Sequence, residues 1–251
     1  MDLLDWAGLA ATTAGAALLY TLTGFGFAIL AAPLFLLLVD PQQAIQLVII
    51  ISTALSFVAL PGLWRAITPW LLLRLTLGTL AGLPFGLIAF GYPVLVRALV
   101  GATSLGFAVL LEWRRRRPGG PVGAFAIRPV PEVATGAVSG IATALVGMAG
   151  PPVLIYLLLA GAPPRAVRAT LLSFFALIYA ATLASHAVTF GIPPQTWLSA
   201  GVLIPFAFLG GLAARPLGDR LGSDSFTILA ILLLGVAGIY TLAAAIGLAV
   251  R

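Results

Sequence analysis

Apolar residues fill most of the chain in ten runs that are separated by short gaps of polar residues, glycine and proline. The runs lie at about 4–22, 25–39, 43–62, 70–90, 93–112, 132–147, 151–161, 165–190, 195–215 and 224–249. A helix needs about 20 residues to cross the hydrocarbon core of a membrane, and most of the runs have that length. The pattern therefore predicts an all-α, polytopic transmembrane helical bundle.

Two of the runs contain helical segments too short to cross a membrane. At a rise of 1.5 Å per residue, residues 27–39 span about 20 Å and residues 151–161 about 17 Å, whereas the hydrocarbon core is about 30 Å thick. Each segment follows a glycine-bearing break, at residues 24–26 in the first half and 147–152 in the second. Backbone groups that such a break frees cannot face lipid. We therefore expect both breaks to lie inside the protein or beside a water-filled cavity.

The two halves of the chain resemble each other in the order of their features. Residues 41–46 (PQQAIQ) match residues 163–168 (PPRAVR), and residues 80–83 (LAGL) match residues 209–212 (LGGL). The offset grows from 122 residues (163 minus 41) to 129 residues (209 minus 80), so a few residues are inserted in the second half. The pattern predicts a first transmembrane repeat over 1–113, a linker over 114–131 and a second transmembrane repeat over 132–251.

The distribution of arginine predicts the orientation of the chain. Positive charge collects in cytoplasmic loops, and the four consecutive arginines 114–117 therefore place the linker in the cytoplasm. Counting segments from the linker puts the N-terminus outside, with Arg97 and Arg251 as mild exceptions. On this count the broken helix pairs of the two halves enter from opposite faces. The repeats are then inverted, each with a glycine-broken short helix pair and three longer helices, as in many secondary transporters.

The composition supports a membrane protein and excludes several kinds of site. Hydrophobic residues make up 61% of the chain and charged residues 8%, whereas soluble domains contain about 25% charged residues. The absence of cysteine and the single histidine exclude thiolate and multi-histidine metal sites, and no cofactor or metal is predicted. The arginines form no stripe typical of nucleic-acid binding. The expected partners are the lipid bilayer and a small anionic substrate, and a homodimer is compatible with the sequence.

The helix ends at the two breaks are the main candidates for a substrate site. Helix N-termini carry partial positive charge and free N–H groups, so helices that restart at Phe27 and Pro151 could bind an anion between them. The alternative is that the glycines only allow close helix packing. The candidate substrate-binding residues are those of the breaks and nearby polar side chains, namely Thr23, Gly24, Phe25, Gly26, Gln46, Thr53, Gly147, Met148, Gly150, Pro151, Arg168 and Ser173.

Several of these polar residues have a simpler interpretation. A serine or threonine in a membrane helix usually bonds to its own backbone, and Arg168 fits a cytoplasmic topology charge better than a substrate contact. His186 and Asp40 are candidates for proton coupling, although a histidine with its hydrogen bonds satisfied at the membrane interface is the commoner case. The acidic residues all lie near segment ends, so the buried carboxylate relay of proton-driven carriers is not expected.

The chain resembles the sulfite exporter TauE/SafE family of small transporters built from a duplicated helical unit. The resemblance covers nearly the whole length and rests on residues 23–26 with Pro33, on residues 139–152, and on residues 162–170. It implies export of sulfite, sulfoacetate or related sulfur-containing anions. The glycines that commonly follow each break are fewer here, at Phe27-Ala28 and Ala149-Gly150, so the resemblance implies a substrate class and no single substrate.

These observations favour a secondary transporter of the bacterial inner membrane that exports sulfite, or an organosulfonate such as sulfoacetate, by alternating access. An anion channel or a permease subunit is the alternative, and without a Walker motif such a subunit would need another chain for ATP hydrolysis. An intramembrane hydrolase is disfavoured because Ser185 lies about 100° around the helix from His186 and no hydrolase motif is present. We therefore expect no enzyme activity.

Overall fold

The computed structural model describes residues 2–24, 26–59, 68–116, 128–162, 164–218 and 223–249. Phe25 and residues 117–127 of the predicted linker lie outside this part of the chain. The described residues form ten α-helices and no strand: α1 (Leu3–Thr23), α2 (Phe27–Phe35), α3 (Pro41–Ala59), α4 (Pro69–Phe90), α5 (Pro93–Arg116), α6 (Pro129–Val146), α7 (Gly150–Leu159), α8 (Pro164–Thr189), α9 (Pro194–Gly218) and α10 (Ser223–Ala249). The predicted all-α class is confirmed.

The lengths of the helices fit a membrane. In the described ranges, seven helices contain apolar spans of 18 to 24 residues, which are about 27 to 36 Å long and cross the hydrocarbon core. Large apolar side chains such as Trp70, Phe85 and Val202 are exposed on their outer faces, where lipid can solvate them. By contrast, α2 has 9 residues and α7 has 10, so neither crosses the core alone. The chain is a multi-pass membrane protein.

Glycine ends the first helix of each broken pair. Gly24 follows α1 with φ of 80°, and Gly147 follows α6 with φ of 72°. This left-handed conformation suits glycine, which has no Cβ to collide with the backbone. Each glycine N–H still donates to the carbonyl four residues earlier, on Tyr20 at 2.8 Å and Thr143 at 2.9 Å. The two helices therefore end in the same way at matching places in the two halves.

Glycine also allows two helix pairs to pack with their backbones in contact. A Cβ at Gly78 or Gly82 of α4 would lie 2.1 Å from a backbone oxygen of α6, that of Val133 or Ala137 respectively, so no side chain fits there. The partner in α6 moves from Val133 to Ala137 as the position in α4 moves from Gly78 to Gly82, so the two helices run in the same direction. Small residues permit such close approach in membranes. A Cβ at Gly210 of α9 would be equally close to a backbone oxygen of α1.

The remaining long helices form two antiparallel pairs. Gly101 of α5 lies against the backbone of Gly238 and Leu242 in α10, and Gly238 lies against Leu105, so the two helices run in opposite directions. The start of α3 lies beside the end of α8, since the Gln46 side-chain amide donates to the Gly191 carbonyl at 3.0 Å. Most of α3 and α8 is buried, and they form the centre of the protein with the short helices α2 and α7.

Candidate functional site

The N-terminal ends of both short helices line one buried cavity. Gly26 and Phe27 contribute from the first break, and Met148, Gly150 and Pro151 contribute from the second. The other residues that line the cavity are Tyr20, Ala28, Ile29, Ser52, Phe175 and Tyr179. The space for a water-sized sphere is about 10 Å³, which is close to the minimum that one water molecule needs. The structure thus brings the two breaks together at a single small cavity.

The start of α2 supplies hydrogen-bond donors at this cavity. The Leu30 N–H makes the first bond of the helix, to the Gly26 carbonyl at 3.1 Å. The N–H groups of the three preceding residues, Phe27, Ala28 and Ile29, have no acceptor within the helix, and all three residues line the cavity. These groups and the positive end of the helix dipole therefore favour a negatively charged ligand.

The start of α7 is a poorer donor. Pro151 and Pro152 occupy its first turn, and proline has no N–H group. Gly150 retains a backbone N–H at this end, and the helix dipole still directs partial positive charge toward the cavity. The two short helices are therefore unequal: α2 offers several hydrogen bonds, whereas α7 contributes mainly an electrostatic field.

A buried serine hydroxyl adds a further polar group. Ser52 of α3 lines the cavity and is buried, and its Oγ forms no hydrogen bond of normal geometry within the described residues. The neighbouring Tyr179 hydroxyl instead donates to the Gly147 carbonyl at 3.1 Å. An unpaired buried hydroxyl costs stability unless a ligand or water satisfies it. Ser52 is therefore available to a molecule in the cavity.

Side chains of α6 and α8 fix the break between α6 and α7. Besides the Tyr179 bond to Gly147, the Ser139 hydroxyl donates to the Ala149 carbonyl at 2.6 Å. On the other side of the cavity, the Tyr20 hydroxyl lies 3.3 Å from Ser56 Oγ. Backbone carbonyls freed by the break are thereby satisfied inside the protein, as a membrane environment requires.

The predicted site residues fall into two groups. Gly26, Met148, Gly150 and Pro151 line the cavity. Gly24 and Gly147 end the adjoining helices without lining it. Phe25 and the Thr23 side chain lie outside the part of the chain that the structure describes.

The other predicted polar residues are not among the described residues that line the cavity. The Thr53 hydroxyl donates to the carbonyl of Ile49 in its own helix at 2.7 Å. Ser173 is buried, and its hydroxyl has no partner within the described residues. Gln46 bonds to the Gly191 carbonyl, as described above, and Asp40 lines a separate pocket at the end of α2. Whether any of these residues contacts substrate remains a prediction.

Arg168 and His186 contact the ends of the broken helices. An Arg168 guanidinium N–H donates to the Thr21 carbonyl of α1 at 3.2 Å, and the Arg168 side chain packs against Gly24. His186 Nε2 lies 2.9 Å from the Ala144 carbonyl of α6, so this nitrogen must carry the proton and donate it. Both side chains thus bond to carbonyls that the helix ends leave without an N–H partner.

His186 lies in an apolar environment. It is fully buried, its ring packs edge-on against Phe90 with centroids 4.5 Å apart, and Phe190 lies 5.9 Å away. Its Nδ1 atom has no hydrogen-bond partner among the described residues. The geometry gives His186 a capping role on α6, and proton coupling through this residue remains a prediction.

Sequence reasoning missed a buried ion pair at the first turn of α6. Glu132 is 0% exposed and bonds to Arg74 of α4 at 3.1 Å, to the Tyr156 hydroxyl of α7 at 3.1 Å, and to the Arg128 backbone N–H at 2.9 Å. In the sequence Glu132 is one of the acidic residues near segment ends, where a buried carboxylate is not expected. The bond to Arg74, 58 residues away, depends on the close packing of α4 on α6, and no local pattern indicates it.

Membrane-spanning helices and two short helices whose N-terminal ends meet at one buried cavity define a polytopic membrane protein with a central cavity. The family model of the sulfite exporter TauE/SafE matches residues 9–241, nearly the whole chain, and the chain belongs to this family. The protein is therefore a membrane transporter of the sulfur-anion exporter type and no enzyme, as the sequence predicted. Neither the search of curated proteins nor that of solved structures found a match.

Proposed function

We propose that this protein is a secondary carrier that exports sulfite or a small organosulfonate from the cytoplasm across the bacterial inner membrane by alternating access. The convergence of the α2 and α7 N-termini on one cavity is the observation that carries the proposal. Both helix ends direct partial positive charge at the cavity, and none of the described residues that line it is charged. A small anion is the ligand that this field favours.

The expected affinity suits a carrier. Each helix end contributes about 0.3–2 kcal/mol, and each hydrogen bond to a charged ligand about 1.5–3 kcal/mol, before the cost of removing the anion from water. Because no arginine or lysine is among the described residues that line the cavity, the site should bind in the range of about 1 μM to 1 mM. Binding of this strength permits rapid release on the opposite side of the membrane.

The cavity in this structure corresponds to a closed form. Sulfite has a sulfur and three oxygen atoms, whereas the cavity has room for about one water molecule. The ends of α2 and α7 must therefore separate before the anion can enter. The capping contacts of Arg168 and His186 lie at opposite ends of α8, so an opening toward one face of the membrane can break one contact and retain the other.

Helix packing supports the proposal of inverted repeats. If α1–α5 correspond to α6–α10, the pairs α1–α9 and α6–α4 are equivalent, and both pack through glycine. Equivalent helices α3 and α8 run antiparallel, as do α5 and α10, which is what an axis in the membrane plane requires. With the arginine-rich linker in the cytoplasm, we expect the N-terminus of an inverted-repeat protein to lie outside.

Transport by purified protein in sealed liposomes tests the proposal. A carrier will take up labelled sulfite with a saturable rate, and unlabelled sulfite on the opposite side will accelerate that uptake. Sulfoacetate should compete if organosulfonates share the site. A flux that follows the membrane potential without saturation or exchange would indicate a channel, and the absence of flux without an added ATPase would indicate a permease subunit.

A further inference from the structure

A second pocket lies where the connection between α2 and α3 faces α5 and α10. Its volume is about 370 Å³, far larger than that of the central cavity. Asp40 and Gln43 line it from the start of α3, Arg97 from α5, and Tyr240 and Ala244 from α10. None of these residues lines the central cavity, so the pocket is a separate site.

Among the described residues that line the pocket, one is acidic and one is basic, and the two do not pair with each other. Arg97 donates one N–H to the Leu36 carbonyl at 3.3 Å, and it forms no ion pair with any described residue. The Asp40 carboxylate likewise has no side-chain partner within the described ranges. A guanidinium has five N–H donors, so capping the end of α2 leaves most of them available to a ligand.

The presence of both Arg97 and Asp40 favours a ligand that carries a negative and a positive group. A simple anion would be attracted by Arg97 and repelled by Asp40, whereas a simple cation would experience the reverse. A molecule that carries both an oxoanion and an amine satisfies both groups. Guanidinium bonds well to the oxygens of phosphate or sulfonate, and the carboxylate can accept N–H bonds from an ammonium group. Gln43 and Tyr240 also line the pocket, and their polar side chains can form further hydrogen bonds with such a ligand.

We propose that this pocket binds a zwitterionic ligand in which a primary amine and a phosphate or sulfonate lie on a short chain. Such a ligand can come from solution or from a phospholipid headgroup. Tyr240 is exposed on a face of α10 that also exposes Val236 and Ile239, so this side of the pocket borders an apolar surface that lipid can cover. The proposal is independent of sulfite binding in the central cavity.

Calorimetry on the purified protein in detergent tests whether the pocket binds a soluble zwitterionic ligand. The probe is phosphoethanolamine, and ethyl phosphate is the matched compound without the amine. We expect phosphoethanolamine to bind the wild-type protein at least tenfold more tightly than ethyl phosphate. Arg97→Gln should weaken both compounds at least tenfold, whereas Asp40→Asn should remove the preference for the amine. Gln42→Ala is the control, because Gln42 is exposed beside Asp40 without lining the pocket.

Native mass spectrometry tests the lipid source. The protein is released from nanodiscs that contain equal amounts of phosphatidylethanolamine and phosphatidylglycerol. Preferential retention of phosphatidylethanolamine, lost in Arg97→Gln and Asp40→Asn but kept in Gln42→Ala, would assign the pocket to the headgroup. Phosphoethanolamine binding with the same mutational pattern would assign it to a soluble ligand. The proposal is overturned if neither ligand is preferred over its amine-free counterpart, or if both charge variants bind as the wild type does.

Discussion

Arg168 and His186 lie on one face of α8, and each donates a hydrogen bond to the carbonyl three residues before a helix-ending glycine. The two residues are 18 positions apart (186 minus 168), which is about five helical turns and about 27 Å. Thr21 precedes Gly24, and Ala144 precedes Gly147, by the same three positions. Helix α8 therefore caps the C-terminal ends of both α1 and α6. The cap on α1 lies near the start of α8, and the cap on α6 lies near its end.

The cap on α6 should contribute measurably to stability. His186→Leu retains a similar volume but leaves the buried Ala144 carbonyl without its donor, at a cost of about 1–3 kcal/mol. Loss of the unpaired Nδ1 atom offsets part of this cost, so we expect a net loss of about 1 kcal/mol, or a few degrees in unfolding midpoint. His186→Gln, which can still donate, should lie closer to the wild type in thermal unfolding. Equal midpoints for the two variants would contradict the capping role.

The ion pair of Glu132 and Arg74 should show strong coupling between its partners. Arg74→Met leaves a fully buried carboxylate without its countercharge, which typically costs about 3–5 kcal/mol. Adding Glu132→Gln to Arg74→Met removes that charge and should recover part of the lost unfolding midpoint. If the double variant is less stable than Arg74→Met alone, the buried charge is not the cause of the destabilisation.

The close packing of α4 on α6 should tolerate no side chain. A Cβ at Gly82 would lie 2.1 Å from the Ala137 carbonyl oxygen, so Gly82→Ala must push the two helix backbones apart. Such overpacking typically costs about 1–3 kcal/mol or more. Gly106→Ala is the matched control, because a Cβ there meets no atom within 4 Å. We expect Gly82→Ala to lower folded yield and unfolding midpoint while Gly106→Ala does not, and equal behaviour would contradict the packing.

The sequence predicted the helices and breaks because lipid imposes strong local rules. A helix needs about 20 apolar residues to cross the hydrocarbon core, so the long helices are visible as long apolar runs. Glycines 24, 26 and 147 mark positions that need a left-handed backbone. The lining of the cavity was harder to predict. Ser52 and Tyr179 reach it from long helices far away in the sequence, and a serine in an apolar helix usually bonds to its own backbone. Ser52 is one of several polar residues that lie near the breaks in the sequence, and only the three-dimensional packing places it and Tyr179 at the cavity.

The capping contacts illustrate the same limit. His186 and Ala144 are separated by 42 residues, and neither residue type indicates the other. The sequence offered His186 either as a group for proton coupling or as a histidine with its hydrogen bonds satisfied, and the geometry shows that it donates to a helix end. The difference in the number of free N–H donors between the two short helices is visible in the sequence. Pro151 and Pro152 remove N–H groups from the first turn of α7.

The most direct test of the anion site removes a single backbone donor from α2. Ala28→Pro deletes one N–H group at the cavity, and a proline is tolerated in the first helical turn, where that N–H has no partner in the helix. Ala28→Ser is the control, because serine keeps the backbone N–H and its side chain is similar in size to that of proline. Both variants are first checked for a wild-type elution profile in detergent.

Sulfite binding to the three proteins is then measured by calorimetric titration. A hydrogen bond to an anion is worth about 1.5–3 kcal/mol, which corresponds to about a tenfold to hundredfold change in the dissociation constant. We predict that Ala28→Pro binds sulfite at least tenfold more weakly than the wild type and that Ala28→Ser stays within about threefold of it. Unchanged sulfite affinity in a folded Ala28→Pro protein would contradict a site formed by the end of α2.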